Sequence, residues 1–560
     1  MSETSLSIVA GPPLAEEEGL GDLTLSGWFL HVTTQFAERE ALVFYDEGNR
    51  VSWTYADLRE RACEVARALI AAGVGKGTRV GILMTNRPEF LAATFGTALA
   101  GGVATTISTF STQDELEHLV NLSCCSVLLL ERQILKKDFS ALIEAIAPEI
   151  SNCSPGQIIS GTFPFLTHVA AIGEAGGAIE AWDDFLARGQ NVSDDRVLAR
   201  AERNRPSDPG VLFFSSGSTA MPKGVLSAHR GVTLQLWRFP KYYGVERTPR
   251  VWSANGFFWS GNFAMAFGGG LTRGGALVLQ STFQPEQALA LMETEEVNQV
   301  HAWPHQWEQL VAAPNWAAVD LSAMYYVDRT SPLAEHPTIN TDWREPYATY
   351  GNTETFTFSS TFPANTPEDV IGGSHGKPCP GNIFKIVAPL TGETVPMGER
   401  GEICVKGPTM MLGYIGIPLD KTLDDEGYLR TGDGGWFDDQ GRLHWEGRLN
   451  DIIKTGGANV SPLEIDAVLK KNPGIKAVQT VGIPHDTLGE LVVSCIVLHD
   501  GADMDQGAVQ AFAKEKLASY KVPRRVLFFA EDDLELTGSS KIKAADVKAL
   551  ASERLSGETS

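Results

Sequence analysis

A chain of 560 residues, 43% hydrophobic and 21% charged, has a globular composition and is too long for one core. A net charge of −23 argues against nucleic acid or an anionic membrane as partner, because a polyanion is repelled over most of such a surface. Seven cysteines without a C-x-x-C pair speak against a zinc site and for a reducing compartment. The first residues lack the cationic-then-apolar pattern of a secretory leader and the final Gly-Glu-Thr-Ser is no peroxisomal address, so the expected location is cytoplasmic.

In chain order, Trp53 to Ala72 carries Tyr55, Leu58, Ala62, Val65 and Leu69 at helical spacing and stops at Gly73 and Gly75, which predicts an amphipathic helix. Arg79 to Met84 predicts a strand and Asn86 to Ala98 a second helix. The apolar run from Phe90 to Ile107 is broken by Thr and Gly, so it predicts a buried helix followed by a strand and no integral membrane segment. Further short strands are predicted at Ser126 to Leu130, Val211 to Phe214, Ala276 to Leu279 and Ser322 to Val327, with helical patterns between them. That alternation predicts an α/β fold of layered, largely parallel sheets. From Ala388 to Gly416 the β-type runs and Gly/Pro turns predict a distorted β-barrel or hairpins.

The most informative segment runs from Phe213 to Val225. A buried strand passes abruptly into Ser215, Ser216, Gly217, Ser218 and Thr219, then reaches Lys223 and Gly224. Hydroxyl donors, backbone N–H groups freed by glycine, and one mobile cation are the material of an anion-holding loop. Gly after Lys223 excludes the Walker pattern, and a plain Ser/Gly turn is the structural alternative. Tyr350-Gly351-Asn352-Thr353-Glu354 offers an aromatic face, a tight turn, a hydroxyl and a carboxylate. Gly432-Asp433 and Gly447-Arg448 place two charges beside glycines, and Thr455-Gly456-Gly457 follows. Thr537-Gly538-Ser539-Ser540-Lys541 closes with another small-residue turn and a lysine. Taken singly, these are equally a core tyrosine beside a turn and solvated loop charges.

In this order and spacing, from about Leu25 to Lys548, the segments resemble the adenylate-forming superfamily of acyl-CoA synthetases, peptide-synthetase adenylation domains and luciferases. The resemblance implies a large N-terminal part, 1–447, that binds AMP and the acyl group. A small mobile α+β C-terminal domain, 448–560, turns about Asn450. It implies ATP, Mg²⁺ and coenzyme A as cofactors, with Ser215, Ser216, Gly217, Ser218, Thr219 and Lys223 around the phosphates and Tyr350 and Gly351 against adenine. Thr353 goes to the α-phosphate, Glu354 to the metal, and Asp433 and Arg448 to the ribose. Lys541 is the catalytic lysine bridging carboxylate and α-phosphate, with Thr219, Glu354 and His229 in the same centre. His229 is assigned to orienting the carboxylate, with a satisfied buried histidine as its alternative.

Gly456 and Gly457 are expected beside the pantetheine arm, and Lys521, Arg524 and Arg525 near the CoA phosphates unless they form a solvated patch. Phe258, Trp259 and Trp303 are expected to wall the acid pocket. Ala220, the Asp328 to Leu333 segment with Arg329, Asn450 and Ser540 depart from the usual pattern. The implied activity is an acid:CoA ligase for a hydrophobic carboxylic acid, with a homodimer left open. The alternatives are transfer to an acyl carrier protein, β-lactone formation, or a non-catalytic nucleotide-binding homologue.

Overall fold

The computed structural model describes residues 5–215, 222–346, 348–449, 453–455, 458–485, 488–517, 521–530 and 544–557. The chain folds as two compact units. The larger comprises Ala10–Ile383 and Lys406–Leu429, and the smaller Met1–Val9, Phe384–Val405 and Arg430–Ser560.

An eight-stranded sheet centres the larger unit. In order across the sheet it contains Ile179–Ala181, His168–Ile172, Val127–Glu131, Arg79–Leu83, β1 (Val103–Thr106), β2 (Pro209–Ser215), β3 (Lys223–Ala228) and β4 (Gly413–Tyr414). Neighbours as far as β2 are parallel, and β3 and β4 are added antiparallel. Parallel neighbours need crossovers, and helices supply them. Helix Tyr55–Ala71 starts on a capping box between Thr54 and Asp57 and buries its predicted stripe. Helix Pro88–Ala100 is buried almost throughout and stops at Gly101, whose φ of 85° suits glycine. Its apolar length faces protein, and no described helix is long and apolar enough to cross a membrane.

A second sheet of the same unit runs Gln299–His301, Arg250–Ser253, Ala276–Val278, Glu40–Asp46, Asn49–Thr54. The strand predicted at Ser322 to Val327 reduces to one bridge, between Tyr326 and Gln299. There the Tyr326 hydroxyl accepts from the N–H groups of Glu246 and Arg247, each at 2.8 Å, so the side chain holds a loop in place of a ladder. Between Arg250–Ser253 and Ala276–Val278 of this sheet, Ser260–Phe263 is α-helical and Ala264–Leu271 continues as a π-helix.

In the smaller unit, five strands pair in the order Ile8–Ala10, Ile383–Val387, Gly401–Lys406, Leu429–Phe437, Leu443–Arg448. Among the described residues these strands pair as neighbours in that order, in the region where a distorted β-barrel or hairpins were predicted. The rest of this unit is α+β: Gly489–Leu498 pairs with Ile475–His485, Ile453–Thr455 and Arg525–Phe528. Helices Pro462–Leu469 and Gln506–Lys514 cover it through Ile465, Leu469 and Val509.

Candidate active site

Strands β2 and β3 form a hairpin whose last paired residues are Ser215 and Lys223. The buried run Val211 to Phe213 anchors it, with Phe213 packed on Phe263 and Phe356. Ser216, Gly217, Ser218, Thr219 and Ala220 lie outside the described residues. Where the chain returns, His118 Nε2 meets the Pro222 carbonyl at 2.8 Å, a contact with no sequence signal.

His229 opens helix α1 (His229–Tyr242) and is 1% exposed. Its Nδ1 accepts from the Leu25 N–H at 3.2 Å, and burial pushes the imidazole down to about 4, so it is neutral at physiological pH. Gly210 leaves it room, since a Cβ there would sit 2.7 Å from Nδ1. This geometry matches the satisfied buried histidine, the alternative weighed for it.

Tyr350 begins a short strand, Tyr350–Asn352, antiparallel to Thr357–Thr361, and is 5% exposed. Gly351 admits no other residue, because a Cβ would lie 1.6 Å from the Thr357 carbonyl oxygen. Asn352 Oδ1 accepts from the Thr355 N–H at 3.0 Å and caps the 3₁₀ turn that presents Thr353 and Glu354. Phe356 and Thr357 follow with φ of 47° and 73°, left-handed backbone of the kind stored at functional sites. The Ser260 hydroxyl donates to Thr353 Oγ1 at 3.4 Å.

Glu354 is held from a direction that sequence reasoning missed. Tyr414, on β4, donates its hydroxyl to Glu354 Oε1 at 2.6 Å, and Lys223 Nζ stands 5.2 Å from the centre of the same ring. Tyr414 therefore joins two residues that are far apart in sequence. Its only signal was an aromatic after glycine in a stretch of turns. Among the described residues no group of three His, Cys, Asp or Glu side chains gathers to hold a metal. A carboxylate whose Oε2 accepts no hydrogen bond among the described residues suits Mg²⁺, which keeps several waters and takes phosphate oxygens.

In the smaller unit Asp433 and Arg448 face each other across a hairpin, with Arg448 Nε 3.1 Å from Asp433 Oδ1. Arg448 Nη1 also donates to the Thr431 carbonyl, and Gly432 reaches φ 71° to give its N–H to Glu402. Asp433 is buried, whereas Arg448 is half exposed. Lys521 is paired with Glu464 at 2.6 Å. Asn450, Gly456, Gly457 and Lys541 lie outside the described residues.

Phe258 is buried, with its ring between Phe110 and the half-buried Trp259. Trp303 is 47% exposed at the start of helix Pro304–Val311, and no ring contact among the described residues joins it to Phe258 or Trp259.

The AMP-binding enzyme model matches residues 29–415, and the AMP-binding enzyme C-terminal domain model matches 464–541. The chain belongs to the AMP-binding, adenylate-forming enzyme family. It is 28% identical over 544 residues to the medium-chain acyl-CoA ligase ACSF2, mitochondrial, of Macaca fascicularis, covering 92% of this chain and 85% of that protein. The anthranilate CoA ligase AuaEII, solved with anthranoyl-AMP, shares the fold at TM-score 0.76 and 22% identity, over 97% of this chain and 99% of that one. The amide bond synthetase McbA of Marinactinospora thermotolerans does so at TM-score 0.75 and 25% identity, over 94% and 99%.

Proposed function

We propose that this protein is an AMP-forming acid:CoA ligase that activates a hydrophobic carboxylic acid with MgATP. A carboxylate oxygen attacks the α-phosphorus, the bond to the bridging oxygen breaks, and pyrophosphate leaves. The CoA thiol then attacks the acyl carbonyl, losing its proton, and AMP departs to leave acyl-CoA. The carrying observation is the Lys223–Tyr414–Glu354 arrangement beside the β2–β3 hairpin, which sets one cation and one carboxylate at a predicted phosphate loop.

Ser215, Ser216, Gly217, Ser218, Thr219 and Lys223 cradle the phosphates, while Thr353 bonds the α-phosphate. Glu354 holds Mg²⁺, which supplies charge neutralisation on the phosphate oxygens. Tyr350 and Gly351 take the adenine. Asp433, kept in place by Arg448, accepts from the ribose hydroxyls. Phe258, Trp259 and Trp303 wall the acid pocket. The division at 447/448, rotation about Asn450, delivery of Lys541 for adenylation, and passage of pantetheine beside Gly456 and Gly457 complete the proposal. A cytoplasmic location goes with it.

Pyrophosphate exchange into ATP that requires an added acid, together with CoA consumption by that acid, tests the assignment. Lys541→Ala is expected to abolish exchange while leaving transfer from supplied acyl-AMP to CoA largely intact; equal loss of both half-reactions overturns the role of Lys541. The likeness to McbA favours a second reading, in which the acyl-adenylate passes to a different acceptor. Acid-dependent exchange without CoA consumption would select it.

A further inference from the structure

We infer that Tyr414 is a positioning residue that aims the Glu354 carboxylate through its hydroxyl and keeps Lys223 apart from that carboxylate through its ring. This inference rests on the assignment of Glu354 to the metal and Lys223 to phosphate.

Tyr414 is fixed by backbone on both sides. It pairs with Val225 and Gly413 with Leu226, while Leu412 N–H reaches Leu226 O at 2.7 Å and Ile415 N–H reaches Gly224 O at 2.8 Å. Gly413 has φ 148°, and the Met411 N–H donates to the Glu354 carbonyl at 2.7 Å. The strand bearing Tyr414 and the turn bearing Glu354 are thus joined twice, once through backbone and once through the side chains. The 2.6 Å hydroxyl contact falls in the range of strong charge-assisted bonds. It orients one carboxylate oxygen, and among the described residues the other accepts no hydrogen bond.

The ring serves a separate purpose. Lys223 lies over it and, among the described residues, forms no ion pair. A lysine on a flexible stem that shares one tyrosine with a carboxylate would otherwise be drawn onto it, and each would cancel a charge that a metal–nucleotide complex needs. A cation over an aromatic face is held weakly enough to be released to a phosphate. The hydroxyl and the ring therefore predict different losses.

The test uses the full chain and Mn²⁺, with α,β-methylene-ATP as the nucleotide. Mn²⁺ binding is followed by electron paramagnetic resonance, and metal-free nucleotide binding by calorimetry. Tyr414→Phe should weaken Mn²⁺ binding roughly tenfold, the scale of a lost hydrogen bond to a charged group, with metal-free nucleotide affinity unchanged. Tyr414→Leu should weaken both. Adding Lys223→Met to Tyr414→Leu should return Mn²⁺ affinity to the Tyr414→Phe level, because the competing cation is gone. Wild-type Mn²⁺ affinity in Tyr414→Phe, or no recovery in the double variant, overturns the inference. So does a lowered melting temperature that accounts for the whole loss. If no acid supports exchange in the wild-type protein, the assignment of function fails instead, a result distinct from all of these.

Discussion

Several individual side chains carry more than their sequence context suggests. Arg238 and Glu17 form an ion pair with both side chains 0% exposed, and Arg238 Nη2 also donates to the Pro380 carbonyl at 2.6 Å. The pair ties the N-terminal segment around Glu17 onto α1. Removing one partner leaves the other charge buried and uncompensated, so Glu17→Ala should destabilise the protein by about 3–5 kcal/mol in urea unfolding. Replacing both residues with Met should cost much less. Neither residue has a sequence signal, since an Arg in a helix and a Glu in an acidic run read as surface. The turn bearing Thr353 and Glu354 was legible because its signal, Tyr350 to Glu354, is local. Tyr414 was not, since only strand pairing brings it to Glu354.

At the level of elements, local rules explain the regular parts well. Helix Tyr55–Ala71 was expected from its stripe and glycine stop. Its start is set by Thr54, whose hydroxyl accepts from the Asp57 N–H at 3.1 Å while Asp57 returns a bond to the Thr54 N–H. Thr54→Ala should therefore cost about 1 kcal/mol, measurable as a lower denaturation midpoint at unchanged slope. Local rules failed where neighbours override them. Ser322 to Val327 has strand composition, yet Tyr326 is used to hold a loop. The π-helix Ala264–Leu271 was not predicted, since Gly268, Gly269 and Gly270 have low helix propensity. In the fold they allow close approach, and a Cβ on Gly268 would sit 3.1 Å from the Leu236 backbone.

Across the whole molecule, two buried histidines in the larger unit and one buried aspartate in the smaller contribute opposite pH dependences. His229 and His301, both in the larger unit, are lowered by burial from 6.5 to about 4. Their folded forms are neutral, so the stability they contribute is present above about 6.5 and lost as pH falls towards about 4. Asp466, in the smaller unit, is raised by burial from 3.8 to about 6, with its Oδ1 accepting from the Thr480 N–H at 2.9 Å. Its contribution is present at low pH and lost as pH rises through about 6. Hydrogen exchange resolved by unit between pH 4 and 7 should show protection of the larger unit falling on acidification. His229→Gln should flatten that dependence, and Asp466→Asn should remove the opposite trend.

The amino-acid order by itself determined the alternation of strand and helix, hence the parallel α/β layers, and the order of the motif segments on which the family resemblance rests. Those features depend on residues close together in the chain, where periodicity, glycine and capping act directly. Tertiary structure alone decided that Tyr414 stands between Lys223 and Glu354 and that His229 is sealed in the core. It also decided that the smaller unit is assembled from three separate stretches of chain. Each of these depends on contacts between residues distant in the chain, where burial and strand register select partners that no local pattern encodes.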